Sequence, residues 1–452
     1  METTIQPKPV RGMRTFFTIW SGQLISLLGS QLTGFALGVW VYNQTHSVLM
    51  IALVQVALQA PYVLLSPLAG VLADRWNRRT AMIVSDAGAG LAVLTAGVLF
   101  ITGHLQPWMV IPINLWMSTF HTLMWPSLTA ATTLLVPKEQ YGRASGLTQM
   151  SEALPALVGP SLAGTLYASI QLGKMALIDF ATYAFSVLLM LAFVRIPNPA
   201  KTIQEATGER SLWKEMRFGW DYIIVRKNLL ALLIFFLAIN FISGFITPLI
   251  TPLILDNWDA RTLGYLGTLM GLGMLFGTLG MSAWGGTKRK IYTLLGAGLL
   301  SGLFFIGAGL RASLPLLAVC GFGLMFTSPF MNASSQAIWQ AKVAPDLQGR
   351  VFAIRRAIAW SASIISPLLA APLADYLFKP AMAAGGMLAP LLGPIFGVGA
   401  SRGIGVMFSL VGLLTVVAAL VGAYVPLLRR VELDLPDHDT VAQSAPVTNP
   451  AE

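Results

Sequence analysis

Long apolar runs with few or no charged residues follow one another along most of this sequence. The run from Ile51 to Ala73 has no charged side chain, and the run from Thr80 to Thr102 has only Asp86. Charged residues make up 11% of the chain, against roughly 25% in soluble domains. A helix needs about 20 mainly apolar residues to cross a bilayer. The sequence predicts an all-α membrane protein with twelve transmembrane helices, at 15–42, 50–73, 80–103, 107–134, 144–170, 174–195, 229–256, 261–284, 291–311, 314–341, 350–378 and 402–428.

The 29 Lys and Arg residues fall unevenly on the two sides of the membrane that these runs define. Loops rich in Lys and Arg stay in the cytoplasm, and both termini lie on the basic side, so they are predicted to be cytoplasmic. The formal net charge of +10 does not indicate nucleic acid as a partner, because the basic residues are scattered over loops. Those on the opposite side are only Lys174, Arg261, Arg311, Lys379 and Arg402.

The sequence lacks the motifs of common soluble enzymes. Cys320 is the only cysteine and the four histidines are scattered, so a disulfide within the chain is excluded and no metal-ligand pattern occurs. There is no Gly-x-x-x-x-Gly-Lys-[Ser/Thr] phosphate loop, which argues against ATP-driven transport. The sequence therefore predicts a protein that is not an enzyme and has no metal site and no cofactor.

Matched residues in the two halves indicate an internal repeat. Gly142-Arg143 precedes the fifth run and Gly349-Arg350 the eleventh, and Pro160 corresponds to Pro367 at the same offset. Such parallel repeats are typical of transporters built from two halves, so we expect two pseudo-symmetric six-helix bundles. The predicted parts are a cytoplasmic N-terminal segment at 1–14, a bundle at 15–195, a cytoplasmic linker with an amphipathic helix at 196–228, a bundle at 229–429, which includes an external loop or re-entrant segment at 380–401, and a disordered cytoplasmic tail at 430–452.

A charged loop joins the second and third runs, with the sequence Gly70-Val-Leu-Ala-Asp-Arg-Trp-Asn-Arg-Arg79. It resembles the loop signature Gly-x-Leu-Ala-Asp-Arg-x-Gly-Arg-Arg of the major facilitator superfamily of secondary transporters. Asn77 replaces the family glycine, and asparagine is the least costly replacement if the turn needs a positive φ. The resemblance implies a gating loop in which Asp74, with Arg75 and Arg79, forms a cytoplasmic latch that favours the outward-open state. The loop residues singled out are Gly70, Asp74, Arg75, Asn77, Arg78 and Arg79.

The fifth run contains a second motif, Gly159-Pro160 followed by Gly164. It resembles the antiporter signature Gly-x-x-x-Gly-Pro-x-x-Gly-Gly, with Pro155 and Ala163 in place of two glycines. Phrases such as Gly142-Arg-Ala-Ser-Gly are similar to the bacterial branch that holds macrolide efflux proteins and the enterobactin exporter. The resemblance implies a protein of the bacterial plasma (inner) membrane that exports a small molecule by alternating access, driven by the proton motive force. We expect it to be monomeric.

Polar side chains recur at helical spacing on the first, fourth, seventh and tenth runs, whereas the third, sixth, ninth and twelfth lack comparable stripes. Polar residues are costly inside a membrane, and helical spacing places them on one face. In the superfamily these four helices line the central cavity, so the resemblance implies substrate contact. The alternative is hydrogen bonding between helices. The candidates for the substrate cavity are Gln23, Gln31, Asn114, His121, Trp125, Asn240, Asn332, Gln336 and Trp339.

Glu152 is one candidate for proton coupling. It lies about two and a half turns into the fifth run, where a buried carboxyl group can exchange protons. The alternative is a structural ion pair with Arg143, Arg355 or Arg356.

Asp86 is the other candidate for proton coupling. It lies about two turns beyond Arg79, and a structural role is the alternative. Asp179 and Asp375 are expected near the outer ends of their helices, in contact with water.

Taken together, these features predict a proton-coupled exporter of an amphiphilic drug, a macrolide-like compound or a secondary metabolite. A lysophospholipid or other lipid transporter, or a siderophore exporter, of the same fold is an alternative. A non-transporting membrane receptor or assembly factor is an alternative from another class, although it would not require matched polar stripes. The expected partners are a small-molecule substrate, protons and the lipid bilayer.

Overall fold

The structure is a computed structural model that describes residues 12–65, 68, 69, 72, 76–137, 140–196 and 212–435. Those residues are almost entirely helical, and none of them is in a β-strand. They divide into two compact units. Unit 1 comprises the described residues up to 196 together with Trp258–Thr268, and unit 2 comprises 212–257 and 269–435.

Unit 1 is built from six helices and the beginning of a later one. The helices are α1 (Gly12–Thr45), α2 (Val48–Leu64), α3 (Arg78–Ile101), α4 (Val110–His121), α5 (Met124–Leu135) and α6 (Tyr141–Phe193). A 3₁₀ turn at Pro107–Met109 precedes α4. α6 is not one straight helix, because it breaks at Gln171, where φ is 62° and ψ is 161°.

Unit 2 contains most of the remaining helices. These are α7 (Leu212–Val225), α8 (Lys227–Gly244), α9 (Ile250–Leu255), α10 (Ala260–Trp284, whose first residues belong to unit 1), α11 (Lys290–Leu310), α12 (Leu314–Lys342), α13 (Pro345–Pro372), α14 (Lys379–Met382), α15 (Ala389–Phe396), α16 (Ala400–Tyr424), α17 (Pro426–Arg429) and α18 (Val431–Asp434). A π-helical turn at Leu373–Phe378 joins α13 to α14.

Nine helical segments of the described chain are long and apolar enough to cross a membrane. Four of the predicted runs take another form. The second run becomes α2, which has 17 residues, and the fourth run is divided between α4 and α5. The fifth and sixth runs are the two parts of α6, on either side of Gln171.

Unit 1 is held together along α6. The second part of α6 packs lengthwise against α1, and α3 packs against α6 as well. Glycines make the first contact close, because a Cβ atom at Gly22 would lie 3.2 Å from Ser186 Oγ and one at Gly29 would lie 2.7 Å from Asp179 Oδ1. Small residues at such positions let membrane helices approach and gain van der Waals contact.

Unit 2 is centred on α11, which packs against α12 and α16. Glycines again set the distance, since a Cβ atom at Gly309 would lie 2.2 Å from the carbonyl oxygen of Gly405. At the end nearer Lys290, α18 closes the unit: the Glu432 carboxylate accepts the backbone N–H groups of Lys290 at 2.9 Å and Ile291 at 3.0 Å. Part of the segment assigned to a disordered tail is therefore a short docked helix.

The described part of the charged loop shows how α3 begins. Asn77 has φ −61° and ψ 123°, and its Oδ1 accepts the backbone N–H of Arg79 at 2.9 Å. The positive φ considered for Asn77 is therefore wrong, and the asparagine is an N-cap, a position that favours this residue. Arg79 donates to the carbonyl oxygens of Met190 at 3.1 Å and Leu191 at 2.7 Å, near the end of α6. Gly70, Asp74 and Arg75 lie outside the described residues.

Candidate functional site

A fully buried carboxyl group, that of Asp86, lies between α1, α3 and α6 of unit 1. Its Oδ2 accepts a hydrogen bond from Gln23 Nε2 at 2.7 Å and another from Ser186 Oγ at 2.7 Å. Asp86 and Ser186 are at most 1% exposed and Gln23 is 4% exposed. The structure thus places the Gln23 amide on a buried acid inside the unit.

A second buried carboxyl group, Asp179, lies further along the same helix contact. Its Oδ1 lies 3.4 Å from both Ser30 Oγ and Thr182 Oγ1, and Ser30 Oγ lies 2.9 Å from Tyr183 Oη, so the four groups form one hydrogen-bonded cluster. Asp179 is 0% exposed, so the expectation of a water-exposed position is wrong. The break at Gln171 places Asp179 about 10 Å into the second part of α6 and turns it towards α1.

The acid and its neighbours form a polar stripe that the sequence analysis missed. Asp179, Tyr183 and Ser186 follow one another at i, i+4 and i+7, so they share one face of α6. The statement that the sixth run lacks such a stripe is therefore wrong. The spacing of these three residues is visible in the sequence. The structure adds that the face they form packs against α1 within unit 1.

Neither buried carboxyl group has a basic partner. In the described part of the chain, no Lys, Arg or His nitrogen lies within 4.0 Å of Asp86 or Asp179. One oxygen of each, Asp86 Oδ1 and Asp179 Oδ2, is buried and without a hydrogen bond among the described residues. An unpaired charge in the membrane interior costs free energy. Asp86 and Asp179 are therefore candidates for a functional role.

Asp375, the other acid expected to meet water, is also largely buried. Its Oδ1 pairs with Lys379 Nζ at 3.1 Å, and both side chains are 13% exposed. The expectation of a solvated group is wrong here too. The π-helical turn at Leu373–Phe378 continues the helix, so Lys379 lies about one turn after Asp375 and within reach of its carboxylate.

The polar stripe of the fourth run mostly joins α4 to α2. His121 Nδ1 and Tyr62 Oη lie 2.5 Å apart, and Ser118 Oγ donates to the carbonyl oxygen of Ala57 at 2.9 Å. Asn114, one turn before Ser118, is 3% exposed. Trp125, at the start of α5, is 49% exposed. The structure thus brings His121 onto a tyrosine of the neighbouring helix, as the alternative of hydrogen bonding between helices requires.

In unit 2, two of the expected residues, Gln336 and Trp339, surround an arginine that reaches from α13 to α12. Arg355 Nη1 donates to Gln336 Oε1 at 2.9 Å, and Nη2 donates to Ser335 Oγ at 3.2 Å. Its guanidinium carbon lies 5.1 Å from the ring centroid of Trp339, which is 1% exposed. Asn332 is exposed on α12 and donates to the carbonyl oxygen of Ser328 at 3.0 Å. On α8, Asn240 is half-buried.

Glu152 lies on an exposed face of the first part of α6. Within the described residues of unit 1, it forms no ion pair with Arg143. Gln31 of α1 is exposed as well, and a Cβ atom at Gly159 would lie 2.9 Å from Gln31 Cβ. Gly159 is therefore a point of close approach between α6 and α1.

The rest of the antiporter-like motif faces the first turns of α10, within unit 1. A Cβ atom at Gly164 would lie 2.6 Å from the carbonyl oxygen of Ala260, and one at Gly264 would lie 2.3 Å from that of Pro160. Ser161 Oγ donates to Thr268 Oγ1 at 2.5 Å. Because Gly164 and Gly264 have no Cβ atom, the backbones of the two helices can come into contact.

The residues that the structure describes hold no group of three or more His, Cys, Asp or Glu side chains that could bind a metal ion. The chemistry available in the two units is that of carboxyl groups, hydroxyl groups, amides and arginine side chains that lie over aromatic rings. Such groups bind and release protons or orient a small molecule.

Comparison with known proteins identifies the family. Macrolide efflux protein A of Streptococcus pyogenes is 29% identical over 370 residues, which cover 80% of this chain and 89% of that protein. Enterobactin exporter EntS of Shigella flexneri is 25% identical over 318 residues, 69% of each protein.

Solved structures share the fold. A bacterial homologue of the human lysosomal transporter Spinster, inward-facing and unoccupied, superposes with a TM-score of 0.69 at 14% identity, covering 95% of this chain and 99% of that one. The nucleoside transporter NupG superposes with a TM-score of 0.62 at 13% identity, covering 90% and 98%. The model of the Major Facilitator Superfamily matches residues 19–367. This chain, a multi-pass membrane protein, therefore belongs to the Major Facilitator Superfamily of transporters.

Proposed function

We propose that this chain is a secondary active transporter that exports an amphiphilic, macrolide-like compound from a bacterial cell in exchange for protons. The observation that carries the proposal is the similarity to macrolide efflux protein A, which extends over 80% of this chain and 89% of the relative. A similarity that extends over most of both proteins supports a shared mode of transport.

The proposed architecture is twelve transmembrane helices in two six-helix bundles that alternate in opening to the two sides. Nine helical segments with the required length and composition support it, together with the shorter α2 and the α4–α5 pair. The uneven distribution of Lys and Arg supports cytoplasmic termini and a location in the inner membrane.

The proposed substrate contacts are polar groups that remain open in their units, such as Gln31, Asn240 and Asn332. The cluster of Arg355 with Gln336 and Trp339 adds a cation and an aromatic face. Glu152, on an open face of α6, and Asp86, buried in unit 1, are the proposed proton carriers. The loop from Gly70 to Arg79 is the proposed gate, and the contact of Arg79 with the end of α6 supports a clamping role.

Export of a siderophore is a second candidate function. It is favoured by the similarity to enterobactin exporter EntS, which covers 69% of this chain. An arginine that has no acidic partner within the described part of unit 2 suits an anionic or catechol-bearing molecule better than a cationic one.

The test is an accumulation assay in bacterial cells that lack their own drug efflux pumps. Cells expressing the protein should hold less radiolabelled erythromycin than cells with an empty vector, and a protonophore should abolish the difference. Enterobactin is measured in the same cells, so that preferential export of it selects the second candidate. Unchanged accumulation of macrolides, dyes and enterobactin would reject the exporter.

A further inference from the structure

We propose that Asp86 and Asp179 each bind an exchangeable proton inside unit 1, and that the coupling protons pass through this pair. The pair belongs to a buried polar ladder, which we define as Gln23, Ser30, Asp86, Asp179, Tyr183 and Ser186. The inference rests on the proposed proton-coupled transport and adds Asp179, with the tyrosine and hydroxyl groups beside it, to the proton carriers.

The ladder has two levels, set by the antiparallel contact of α1 with the second part of α6. Gln23 faces Ser186 on one level, where Asp86 joins them from α3. Seven residues further along α1, Ser30 faces Asp179, which lies seven residues before Ser186. Seven residues of helix span about 10 Å, so the carboxyl groups are stacked along the contact.

Close helix packing keeps both levels free of bulky side chains. Gly22 and Gly29 of α1 bring its backbone to van der Waals distance of Ser186 and Asp179, and a Cβ atom at Gly90 of α3 would lie 3.0 Å from Tyr183 Cβ. Tyr183 Oη lies 2.9 Å from Ser30 Oγ, the serine beside Asp179. Tyr183 lies between Asp179 and Ser186 along α6, so the tyrosine is placed between the two levels with its hydroxyl group bonded to the Asp179 level through Ser30.

The hydrogen-bond pattern fits the neutral acid at both levels. The donors around Asp86 converge on Oδ2 while Oδ1 has no partner. At Asp179, Ser30 and Thr182 lie 3.4 Å from Oδ1, Thr33 lies beside the carboxyl group, and Oδ2 has no described donor within 3.5 Å. A carboxylate would need donors at both oxygens, and a buried one would also need a cation. A neutral carboxylic acid needs no cation and only an acceptor for its own O–H, which Ser186 Oγ can provide beside Asp86 and Ser30 Oγ beside Asp179, so each group holds a proton in this conformation.

The surroundings of Asp86 and Asp179 indicate that the two acids release their protons when water reaches them. The titratable groups that face the ladder from the packed helices are Tyr183 of α6, Tyr62 of α2 and, bonded to Tyr62, His121 of α4. Because no described Lys or Arg of unit 1 is within ion-pair distance, ionisation gains no internal partner. A movement that opens the α1–α6 contact to water would discharge the protons, and closure would require their return.

A purely structural role would not call for acids at these positions. Serine, threonine or asparagine make comparable hydrogen bonds between membrane helices without a group that ionises. The matched test is therefore replacement by asparagine, which has nearly the shape of a neutral aspartic acid. Asp259→Asn is the control, because Asp259 belongs to the same unit but is exposed and caps the start of α10 through the N–H of Thr262 at 2.9 Å.

The first measurement is infrared difference spectroscopy of the purified protein on raising the pH. The wild type should lose two C=O bands of protonated carboxyl groups, D86N and D179N should each lack one of them, and D259N should retain both. Carbodiimide labelling of the wild type, mapped by mass spectrometry, gives the same information without a substitution, since the reagent attacks protonated carboxyl groups in apolar surroundings. Absence of both bands, or no label on either residue at any pH, overturns the proposal.

The second measurement is uptake of radiolabelled erythromycin into inside-out vesicles. D86N and D179N should lose accumulation driven by a pH gradient but keep exchange of labelled for unlabelled erythromycin, whereas D259N should do both. Gradient-driven accumulation by both variants overturns the proposal, as does accumulation by the wild type that follows a sodium gradient. If the wild type moves no erythromycin at all, the proposed drug export fails, while the infrared bands and the labelling still decide the ladder.

Discussion

At the scale of single residues, Arg355 illustrates how one side chain can organise several others. Its guanidinium group spans from α13 to two polar side chains of α12 and lies over the Trp339 ring. A planar group with several N–H donors can do this, whereas a lysine cannot. The position of Gln336 and Trp339, both proposed to contact substrate, therefore depends on Arg355.

We predict that Arg355→Gln lowers both the stability and the apparent substrate affinity. Loss of the hydrogen bonds and of the contact with Trp339 should cost about 1–3 kcal/mol, seen as a lower unfolding temperature in detergent. The erythromycin concentration for half-maximal transport should rise. Arg356→Gln is the matched control, because Arg356 is exposed and its guanidinium lies over Trp360 alone among described aromatic rings. Equal effects of the two substitutions would contradict the prediction.

A second prediction concerns the N-cap of α3. Asn77→Ala removes the acceptor for the Arg79 N–H and should cost about 0.5–2 kcal/mol. Asn77→Asp keeps an acceptor and adds a charge that favours a helix start, so it should unfold at the temperature of the wild type or above. Thermal unfolding followed by tryptophan fluorescence measures both. Identical unfolding temperatures for the alanine and aspartate variants would disprove the capping role.

The buried acids show what local sequence can and cannot reveal. The helical spacing of Asp179, Tyr183 and Ser186 is visible in the sequence, and so is the position of Asp86 within an apolar run. Their depth and their partners are not, because these depend on which face of α1 each helix meets. Gln23 likewise has the spacing of a cavity residue, yet its amide lies on Asp86.

At the scale of helices, the apolar runs predicted which helices are present more accurately than where each helix ends or breaks. The bilayer imposes length and composition, so runs such as 80–103 correspond closely to α3 (Arg78–Ile101). The break at Gln171 has no comparable signal, since a positive φ at glutamine is held by its surroundings and not by its own preference. The division of the fourth run between α4 and α5 is of the same kind.

Helix contacts at glycine give the third prediction. Gly309→Ala would place a methyl group 2.2 Å from the Gly405 carbonyl oxygen and should force α11 and α16 apart. Gly296→Ala is the matched control in the same helix, because nothing lies within 4 Å of its Cβ position and alanine favours the helix by up to about 1 kcal/mol. We expect a lower unfolding temperature, or loss of monodisperse protein, for G309A alone. A G309A protein as stable as G296A would show that the two helices do not need this contact.

At the scale of the whole molecule, the surface is that of a protein surrounded by lipid. Large apolar side chains remain exposed within the spanning runs, among them Leu188 at 62%, Ile234 at 56% and Val319 at 63%. A soluble protein rarely exposes so many, and lipid chains account for them. Composition alone predicted this property. Substrate choice was not predictable in the same way, because it depends on a few polar groups whose positions are set by packing.

The orientation in the membrane gives the last prediction, and the chain is well suited to test it. Its single cysteine, Cys320, is 4% exposed, so the wild type should react poorly with a maleimide that does not cross membranes. Met387→Cys places a thiol at an 82% exposed position of the segment predicted to face outside, whereas Lys288→Cys places one in an exposed loop of the basic side. In intact cells the first variant should be labelled and the second should react only after permeabilisation, because basic loops stay in the cytoplasm. Transport by both variants serves as the control for folding. The reverse labelling pattern would place the termini outside the cell and would contradict the proposed orientation of the exporter.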